Sequence, residues 1–414
     1  MKKVRISDIC EVYDGPHATP TKTKFGPIYL GIKAITEDGF LDTMEFAHLS
    51  EEDYQVWTKR VTPKENDIVF SYEATLNRYA LIPKDFYGCL GRRLAILRAK
   101  NDDLNIFWLY YYFQSPQWQT FISNHMISGS TVNRISIDDF PDYKINLPSR
   151  KEQDAIVAII NSVTNKISLN NKINAELESM AKTIYDYWFT QFDFPDENGR
   201  PYKSSGGKMV WNEELQREIP VGWEVGNLYD LADFVNGLAC QNFRPKYNEQ
   251  SLPVIKIKEM HDGFTNETEY VSNNIPEKII VHTGDILFSW SATLEVQLWS
   301  GKTGGLNQHI FKIYPKKIFG KYYVYIQLKE YVINFQKIAE SRKTTMGHIT
   351  TDHLNQSRVT LPPKEVNSSF EVAVGPIYEN IQRNNKENDQ LTKLRYWLLP
   401  MLMNGQIEFK YGVI

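Results

Sequence analysis

One short stretch of the sequence occurs twice. Residues 66–76 read NDIVFSYEATL and residues 284–294 read GDILFSWSATL, so seven of the eleven positions are identical. In the first copy Ile68, Phe70 and Tyr72 lie at alternate positions. Because successive side chains on a strand point to opposite faces, this spacing predicts a β-strand with one well-buried face.

The similarity between the two copies extends over most of the chain. Matched positions are about 222 residues apart at the start of each copy, 218 apart in the quoted stretch and 214 apart at the end. Such a gradual fall is expected when short deletions lie in the loops between matched elements. A period above 200 residues is too long for a solenoid, so the pattern predicts a duplicated domain. The matched pairs include Asp8/Asp230, Gly15/Gly237, Leu90/Leu306 and Leu147/Leu361.

Each copy begins with a strand-rich region, at residues 1–148 and 222–362. Short apolar or alternating runs are separated there by Gly, Pro, Asn and Asp clusters, which is typical of an α+β domain. The aromatic runs FWLYYYF at 107–113 and YYVYIQL at 322–328 are interpreted as helices that pack under the sheet. Between the copies, residues 196–221 are rich in Gly, Ser, Pro and charge, which indicates a connector.

A long helix is predicted after each strand-rich domain, at residues 149–195 and 363–408. Apolar residues recur there at alternating steps of four and three, which is a heptad pattern. Each helix would span roughly 40 residues, or about 60 Å. Two matched helices in one chain predict an antiparallel coiled coil about a pseudo-twofold axis. The predicted helix-pairing residues are Ile160, Val163, Ile167, Asn170, Asn174 and Leu177, with Val374, Ile377, Ile381, Asn384, Asn388 and Leu391.

Two asparagines lie in the middle of each heptad seam. Asn170 and Asn174 in the first helix match Asn384 and Asn388 in the second. Buried Asn pairs fix the register and the partner of a coiled coil at some cost in stability. In the alternative interpretation, Asn170 and Asn174 face solvent and Ile173 completes the seam. The repetition of both asparagines favours the paired seam.

Length and composition indicate a multidomain globular protein. A chain of 414 residues exceeds what one core usually holds. There is no run of about 18 apolar residues and no signal-peptide core at the N-terminus, so we expect a cytoplasmic protein. Cys10, Cys89 and Cys240 are far apart and are interpreted as reduced core thiols. The net charge of −3 argues against a strongly basic nucleic-acid binder, so any DNA binding must depend on local charge.

The motifs of catalysis and cofactor binding are incomplete. Residues 300–303 read SGKT, but Val296 occupies the position of the P-loop glycine, and there is no Gly-x-Gly-x-x-Gly turn. His348 and His353 lack a third zinc ligand nearby. Neither Pro-Asp pair is followed by a nuclease-like Asp/Glu-x-Lys, and the Asn/Asp-Pro-Pro-aromatic tetrapeptide of adenine methylation is missing. The sequence predicts a binding protein without catalytic residues, metal site or cofactor of its own.

Clusters of Arg, Lys, Asn and Gln interrupt the strand-rich domains at matching places. Arg pairs bidentately with guanine, and Asn or Gln with adenine, in the DNA major groove. One scaffold with different side chains in its two copies would suit two base readers, whereas the alternative is that these are solvated loop residues. The candidates in the first copy are Lys22, Lys24, Asn77, Arg78, Arg92, Arg93, Asn133 and Arg134. Those in the second copy are Gln241, Asn242, Arg244, Gln297, Asn307, Gln308, His309, Arg342, Lys343, Thr344 and His348.

Several short motifs accompany this layout. Each domain carries Asn/Gly-Asp-Ile-Val/Leu-Phe-Ser, residues 145–153 read INLPSRKEQ before the first helix, and residues 217–224 read REIPVGWE at the start of the second copy. With the order of domains and helices, they make nearly the whole chain similar to the specificity subunits of type I restriction-modification enzymes. Two features depart from that family: residues 364–366 read KEV where Glu-Gln is usual, and the chain is not basic.

The resemblance implies a division of labour in a complex. Each strand-rich domain would be a target-recognition domain that reads one half of an interrupted site in double-stranded DNA, and the paired helices would set the gap. Two modification subunits would bring S-adenosylmethionine to methylate adenine, and motor-nuclease subunits would use ATP and Mg²⁺. The chain itself would be non-catalytic. Three alternatives stay open: a specificity subunit of a methylation-only complex, a coiled-coil scaffold without a DNA role, and an enzyme with an unrecognised site.

Overall fold

The computed structural model describes residues 1–37, 39–127, 132–291, 293–341 and 349–407, without the side chains of 338–341. Contacts divide the chain into two units. Unit 1 comprises Met1–Ile167 with Gln390–Ile414, and unit 2 comprises Ser168–Asp389. Each unit therefore contains one strand-rich domain, the N-terminal part of one long helix and the C-terminal part of the other.

The first strand-rich domain is built from a larger antiparallel sheet, a smaller mixed sheet and a two-stranded ribbon. The larger sheet has the order β2-β8-β5-β6, the mixed sheet has the order β4-β3-β7 with β3 parallel to β7, and β1 pairs with β9. The strands are β1 (Lys2–Arg5), β2 (Cys10–Asp14), β3 (Thr23–Leu30), β4 (Ala47–His48), β5 (Ile68–Ser71), β6 (Tyr79–Leu81), β7 (Gly88–Leu90), β8 (Leu94–Ala99) and β9 (Lys144–Leu147). The helices are α1 (Ile6–Ile9), α2 (Glu51–Trp57), α3 (Ile106–Phe113) and α4 (Pro116–Asn124), followed by the long α5 (Arg150–Tyr185).

The second strand-rich domain repeats this topology, so the predicted duplication is confirmed. Its larger sheet has the order β13-β20-β17-β18, its mixed sheet β15-β14-β19-β16, and β12 pairs with β21. The connector carries the hairpin β10 (Met209–Asn212) and β11 (Arg217–Pro220). The strands of the domain are β12 (Glu224–Gly226), β13 (Ala232–Asn236), β14 (Ser251–Ile255), β15 (Tyr270–Ser272), β16 (Ile280–Val281), β17 (Ile286–Ser289), β18 (Glu295–Leu298), β19 (Gly304–Leu306), β20 (Ile310–Pro315) and β21 (Val359–Leu361). The helices are α6 (Leu228–Leu231), α7 (Ile257–Asp262), α8 (Lys321–Ser341), α9 (Thr351–Asn355) and the long α10 (Lys364–Met403).

The repeated stretch forms the strands β5 and β17, and both faces of β5 are buried. Ile68 and Phe70 belong to the core that contains the aromatic helix α3. Val69, on the opposite face, belongs to a second core with Leu30 of the mixed sheet. The prediction of a single buried face was therefore wrong, because a second sheet covers the other side. The helical interpretation of the two aromatic runs is confirmed by α3 and α8.

The shared Asp of the repeat fixes the chain where it enters the buried strand. Asp67 accepts a hydrogen bond from the Lys64 backbone N–H at 2.8 Å and forms a bidentate ion pair with Arg98 at 2.6 and 2.8 Å. Asp285 accepts a hydrogen bond from the His282 backbone N–H at 2.7 Å and forms an ion pair with Lys312 at 2.8 Å. Carboxylates paired in this manner stabilise a turn, so the two aspartates of the repeat are structural.

The shared Ser of the repeat fixes the exit from the strand. The Ser71 hydroxyl donates to the Thr75 carbonyl. The Ser289 hydroxyl donates to the Thr293 carbonyl at 2.7 Å. Both serines are buried, and each therefore satisfies a backbone carbonyl of the loop that follows.

The asparagines of the heptad seams form a polar layer within unit 2. Asn170 donates to Glu387 at 2.8 Å and to Asn388 at 2.9 Å, while Asn384 donates to Asn174 at 2.8 Å. As the residue number increases along α5, the residue number of its partner in α10 decreases, so α5 and α10 run antiparallel here. Asn170 is 1% exposed and Ile173 is 40% exposed. The alternative in which the asparagines face solvent and Ile173 completes the seam is therefore wrong.

The same antiparallel packing occurs within unit 1. Ile156 and Ile160 of α5 lie in one core with Leu399 and Leu402 of α10. The remaining predicted seam residues are buried or half-buried, with Val163 and Val374 among the buried ones.

The three cysteines are buried and free, as expected for core thiols, and burial raises the pKa of Cys10 to about 12.

The departure at the start of the second long helix has a structural counterpart. Gln153 in α5 accepts a hydrogen bond from the Asn105 N–H at 2.7 Å, next to the start of α3. Its structural match in α10 is Asn367 and not Val366, since Asn367 donates to the Pro362 carbonyl at 3.1 Å as Gln153 donates to the Pro148 carbonyl at 3.0 Å. Asn367 is shorter by one methylene, and its side-chain oxygen is buried without a partner among the described residues. Glu371, one turn later, accepts from the N–H groups of Tyr322 and Tyr323 at 2.8 and 3.1 Å in the first turn of α8. The link between the long helix and the aromatic helix is thus kept by a different residue.

Glu371 is expected to make the stability of unit 2 depend on pH. Burial raises the pKa of this carboxyl, although the backbone donors of Tyr323 and Tyr322 and the charge of Lys321 oppose the rise. A raised folded-state pKa means that the folded chain holds the proton more tightly than the unfolded chain, so stability falls as pH rises above about 4.5. Glu371→Gln keeps an acceptor but carries no charge. We therefore expect the melting temperature of this variant, relative to wild type, to rise between pH 4.5 and pH 7.

The control for this measurement is Glu365→Gln, an exposed carboxyl on the same helix. Its melting temperature relative to wild type should change little with pH. Glu371→Ala, which leaves two N–H groups of the first helical turn without their acceptor, should lose about 1–2 kcal/mol at any pH. A constant difference between Glu371→Gln and wild type from pH 4.5 to pH 7 would contradict the prediction.

Candidate nucleic-acid interface

Three loops of the first domain meet at the end of β5. The Ser71 N–H donates to the Arg78 carbonyl at 3.1 Å, the Tyr72 N–H donates to the Arg93 carbonyl at 3.3 Å, and the Ile135 N–H donates to the Tyr72 carbonyl at 3.0 Å. These bonds hold the segments after β5, before β8 and before β9 side by side. They bring together residues that are far apart in sequence, and we call this set cluster 1: Asn77, Arg78, Arg92, Arg93, Asn133 and Arg134.

The arginines of cluster 1 differ in their partners. Arg78 is paired with Glu37 at 2.6 Å and Arg93 with Glu73 at 2.9 Å. Arg92 and Arg134 are exposed and form no ion pair with any residue that the structure describes. Two guanidinium groups are thus held by carboxylates, and two are open to an external partner.

The backbone of cluster 1 and of the neighbouring Ala74 adopts uncommon conformations. Ala74, Asn77 and Arg93 have positive φ angles of 70°, 60° and 72° although none is glycine. Such conformations cost of order 1–3 kcal/mol each and persist where surrounding contacts fix them. Here the Ala74 N–H donates to the Asn133 carbonyl at 2.8 Å, in addition to the bonds at Tyr72. Strain of this kind is concentrated at functional sites.

The second domain brings its loops together in the same way. The Trp290 N–H donates to the His309 carbonyl at 3.4 Å, and the Ile349 N–H donates to the Trp290 carbonyl at 3.1 Å. Trp290 therefore stands where Tyr72 stands in the first domain, and His309 where Arg93 stands. The Gln308 and His309 side chains contact each other at 3.3 Å. The framework is repeated while the side chains differ, and we call Gln308, His309 and Trp290 cluster 2.

Some predicted contact residues of the second domain are engaged within the protein. Gln297, half-buried in β18, donates to the Met260 carbonyl at 3.1 Å. Asn307 is 8% exposed, and its side-chain oxygen accepts from the His309 N–H at 3.4 Å. Both side chains fix local structure. By strand register the position equivalent to Arg78 holds Glu295, which contacts His261 at 3.1 Å.

The other predicted contact residues lie apart from the two clusters or outside the description. Lys22 and Lys24 are exposed just before and within β3. Gln241, Asn242 and Arg244 are exposed in the loop after β13. The predicted residues Arg342, Lys343, Thr344 and His348 lie outside the described residues.

Neither a metal centre nor a membrane-crossing helix occurs in the part of the chain that the structure describes. No group of three or more His, Cys, Asp or Glu side chains there could hold a metal ion. His353, one of the two histidines considered for zinc, accepts from the Thr350 N–H at 3.1 Å at the start of α9. Among the described helices, none is long and apolar enough to cross a membrane.

Comparison with known proteins matches both copies to one family. The family described as the type I restriction modification DNA specificity domain matches residues 1–179 and again residues 220–393. The chain belongs to this specificity family. Each match covers one strand-rich domain together with at least part of the long helix that follows it.

Relatives of this specificity protein align over most of its length. The type I restriction enzyme MjaIX specificity subunit of Methanocaldococcus jannaschii is 24% identical, over 97% of this chain and 92% of the relative. The HindI specificity subunit of Haemophilus influenzae is 26% identical, over 67% of this chain and 72% of the relative. The crystal structure of a type I S subunit from M. genitalium shares the fold, with a TM-score of 0.51 at 15% identity over 97% and 95% of the two chains.

The acidic residues that hold the arginines of this specificity protein were missed from the sequence. Glu73 lies inside the repeated stretch, where the second copy has Ser291, so a difference within the repeat was the available signal. Glu37 lies 41 positions before its partner Arg78. Nothing in local spacing relates those two residues, because the folding of the loop before β4 brings them together.

Proposed function

We propose that this chain is the DNA sequence-specificity subunit of a type I restriction-modification complex and that each strand-rich domain reads one half of an interrupted site. Residues 1–148 and 222–362 would be the target-recognition domains. The observation that carries the proposal is the repeated loop framework around Tyr72 and Trp290, which presents different side chains in the two copies. A repeated framework with different polar groups suits two different half-sites.

The chain contributes recognition and positioning, and its partners contribute the chemistry. The long helices α5 and α10, within the predicted segments 149–195 and 363–408 and joined through the connector at 196–221, would dock two modification subunits and set the gap between half-sites. Those subunits would bind S-adenosylmethionine and take the target adenine out of the DNA stack. Motor-nuclease subunits would use ATP and Mg²⁺. All of this would take place on double-stranded DNA in the cytoplasm.

The net charge of −3 is compatible with this assignment. Contacts with phosphates supply most of the sequence-independent affinity for DNA, and they can be shared among all subunits of a complex. Contacts with base edges supply specificity and need only a few side chains. The exposed arginines of cluster 1 would provide such contacts in the first domain without a basic chain.

The experiment that tests the proposal is single-molecule mapping of methylated adenines in the host, with and without this gene. We expect a bipartite methylated motif that disappears on deletion and returns when the full chain is supplied. Exchanging one strand-rich domain for that of a relative should change one half of the motif only. Unchanged methylation after deletion would refute the proposal.

A further inference from the structure

An acidic side chain in the first domain and an amide side chain in the second occupy equivalent places. Asp14 ends β2 and Asn236 ends β13, strands that take the same place in their sheets. Each is followed by a glycine whose N–H donates to the neighbouring strand, Gly15 to Leu94 at 2.9 Å and Gly237 to Ile310 at 3.1 Å. A Cβ at Gly15 would lie 2.6 Å from the Leu94 carbonyl oxygen. The backbone of the preceding residue is therefore held close against the neighbouring strand.

In the second domain the pair consists of Asn236 and Trp290. The Trp290 indole N–H donates to the Asn236 side-chain oxygen at 3.3 Å. Asn236 is exposed, and its amide nitrogen forms no hydrogen bond with the described part of the chain. The indole fixes the direction of the amide, which still offers a donor and a second lone pair. That combination matches the N6 and N7 edge of adenine.

In the first domain Asp14 lies near Tyr72, whose buried hydroxyl forms no hydrogen bond with any described residue. Tyr72 is buried, and burial, followed by the nearby Asp14 carboxylate, raises the pKa of Tyr72, so its hydroxyl keeps its proton. One oxygen of Asp14 is buried without a hydrogen bond from any described residue. The other contacts His17 at 2.8 Å and Arg60 at 3.8 Å. A carboxylate offers acceptors only, which matches the amino group of cytosine.

Asp14 has room to turn towards a partner. It borders an open cavity of about 480 Å³, whose wall also includes Trp57 and Arg60. The side chains of His17 and Arg60 are 64% and 67% exposed. Exposed ion pairs contribute little to stability, so these cations can move to a DNA phosphate at small cost and release the carboxylate.

We propose that Asp14 and Asn236 are specificity-determining residues, each reading a base edge of its own half-site, and that Trp290 is the positioning residue of Asn236. Asp14 selects a base that offers an amino group, and Asn236 selects adenine. The inference rests on the proposed function. It also extends recognition from loop residues to the ends of two sheet strands next to the clusters.

The test uses the full chain with its native partner genes and the variants Asp14→Asn and Asn236→Asp. Methylated motifs are mapped in cells, and binding of the purified complex is measured on duplexes carrying each base at each position of the half-sites. We expect each variant to lose preference at one position of one half-site by roughly ten-fold or more, with the other half-site unchanged. Glu11→Gln on β2 and Asp233→Asn on β13 are matched controls and should keep the wild-type motif.

The outcomes separate this inference from the proposed function. If the wild-type complex yields no bipartite motif, the proposed function fails. If wild type yields the motif and both variants keep it with unchanged preference, this inference alone is overturned. Equal weakening on all duplexes also overturns it, because such weakening would assign both residues to phosphate contact. If Asp14→Asn lowers the melting temperature, the base preference of the Asn236→Asp variant, which changes an exposed residue, decides whether the inference holds.

Discussion

Replacing Arg92 and Arg134 together by alanine is expected to weaken binding of the assembled complex to its target by on the order of 100-fold. Both side chains are exposed in cluster 1, and neither is paired with a carboxylate of the described chain. Their removal therefore breaks no ion pair with the residues that the structure describes, so the melting temperature and subunit assembly should stay the same. The measurement is a titration of a labelled target duplex with the purified complex at fixed salt.

A matched loss of charge elsewhere in the same domain serves as the control. Lys2→Ala with Lys144→Ala removes two exposed positive charges from the paired strands β1 and β9. This variant should bind within about two-fold of wild type, since sequence readout requires contact with base edges and not charge alone. Equal losses in the two double variants would show that Arg92 and Arg134 act only through net charge. A shallower salt dependence without a change in preferred sequence would assign them to phosphates.

The architecture was predictable because duplication provides an internal control. Where both copies show the same sequence pattern at matched positions, that pattern alone predicts the element. Examples are the strands β5 and β17 and the two aromatic helices. The burial of both faces of β5 was not predictable. The alternation of Ile68 and Phe70 indicates one apolar face, but only the packing of the mixed sheet on Val69 buries the other.

The members of cluster 1 were predicted from polar runs in the sequence, and the signal was clearest where the predicted contact residues follow the repeat directly. Asn77 and Arg78 come straight after the repeated stretch, so the divergence of the copies there was visible. Asp14 lies 58 positions before Tyr72 and on another strand, with β8 between β2 and β5 in the sheet. Whether these two side chains come close depends on the order and register of the strands, which the periodicity of the sequence does not predict. For the same reason the inward engagement of Asn307 was not foreseen.

The polar layer between the long helices predicts that a second substitution offsets the loss of stability caused by the first. Asn170 donates to Asn388 and is 1% exposed. Asn170→Leu alone leaves the Asn388 side-chain oxygen without this donor, so we expect unit 2 to lose about 1–3 kcal/mol. Asn170→Leu with Asn388→Leu replaces both partners of this hydrogen bond by apolar side chains, which can be nearly neutral, although Glu387 and Asn171 still lose a donor. The melting temperature of the double variant should therefore recover most of the loss caused by Asn170→Leu.

We expect the long helices of the double variant to pair in more than one register or oligomeric state. Polar residues in a heptad seam exclude other registers and oligomers, because a shifted register would bury an asparagine without a partner. We expect size-exclusion chromatography with light scattering to show higher oligomers for the double variant and a single species for wild type. Asn165→Leu, at an exposed position on α5, is the control and should change stability by less than about 0.5 kcal/mol. Purely additive losses in the two single variants and the double variant would mean that Asn170 and Asn388 are not coupled, and the polar layer would then have no part in fixing the register.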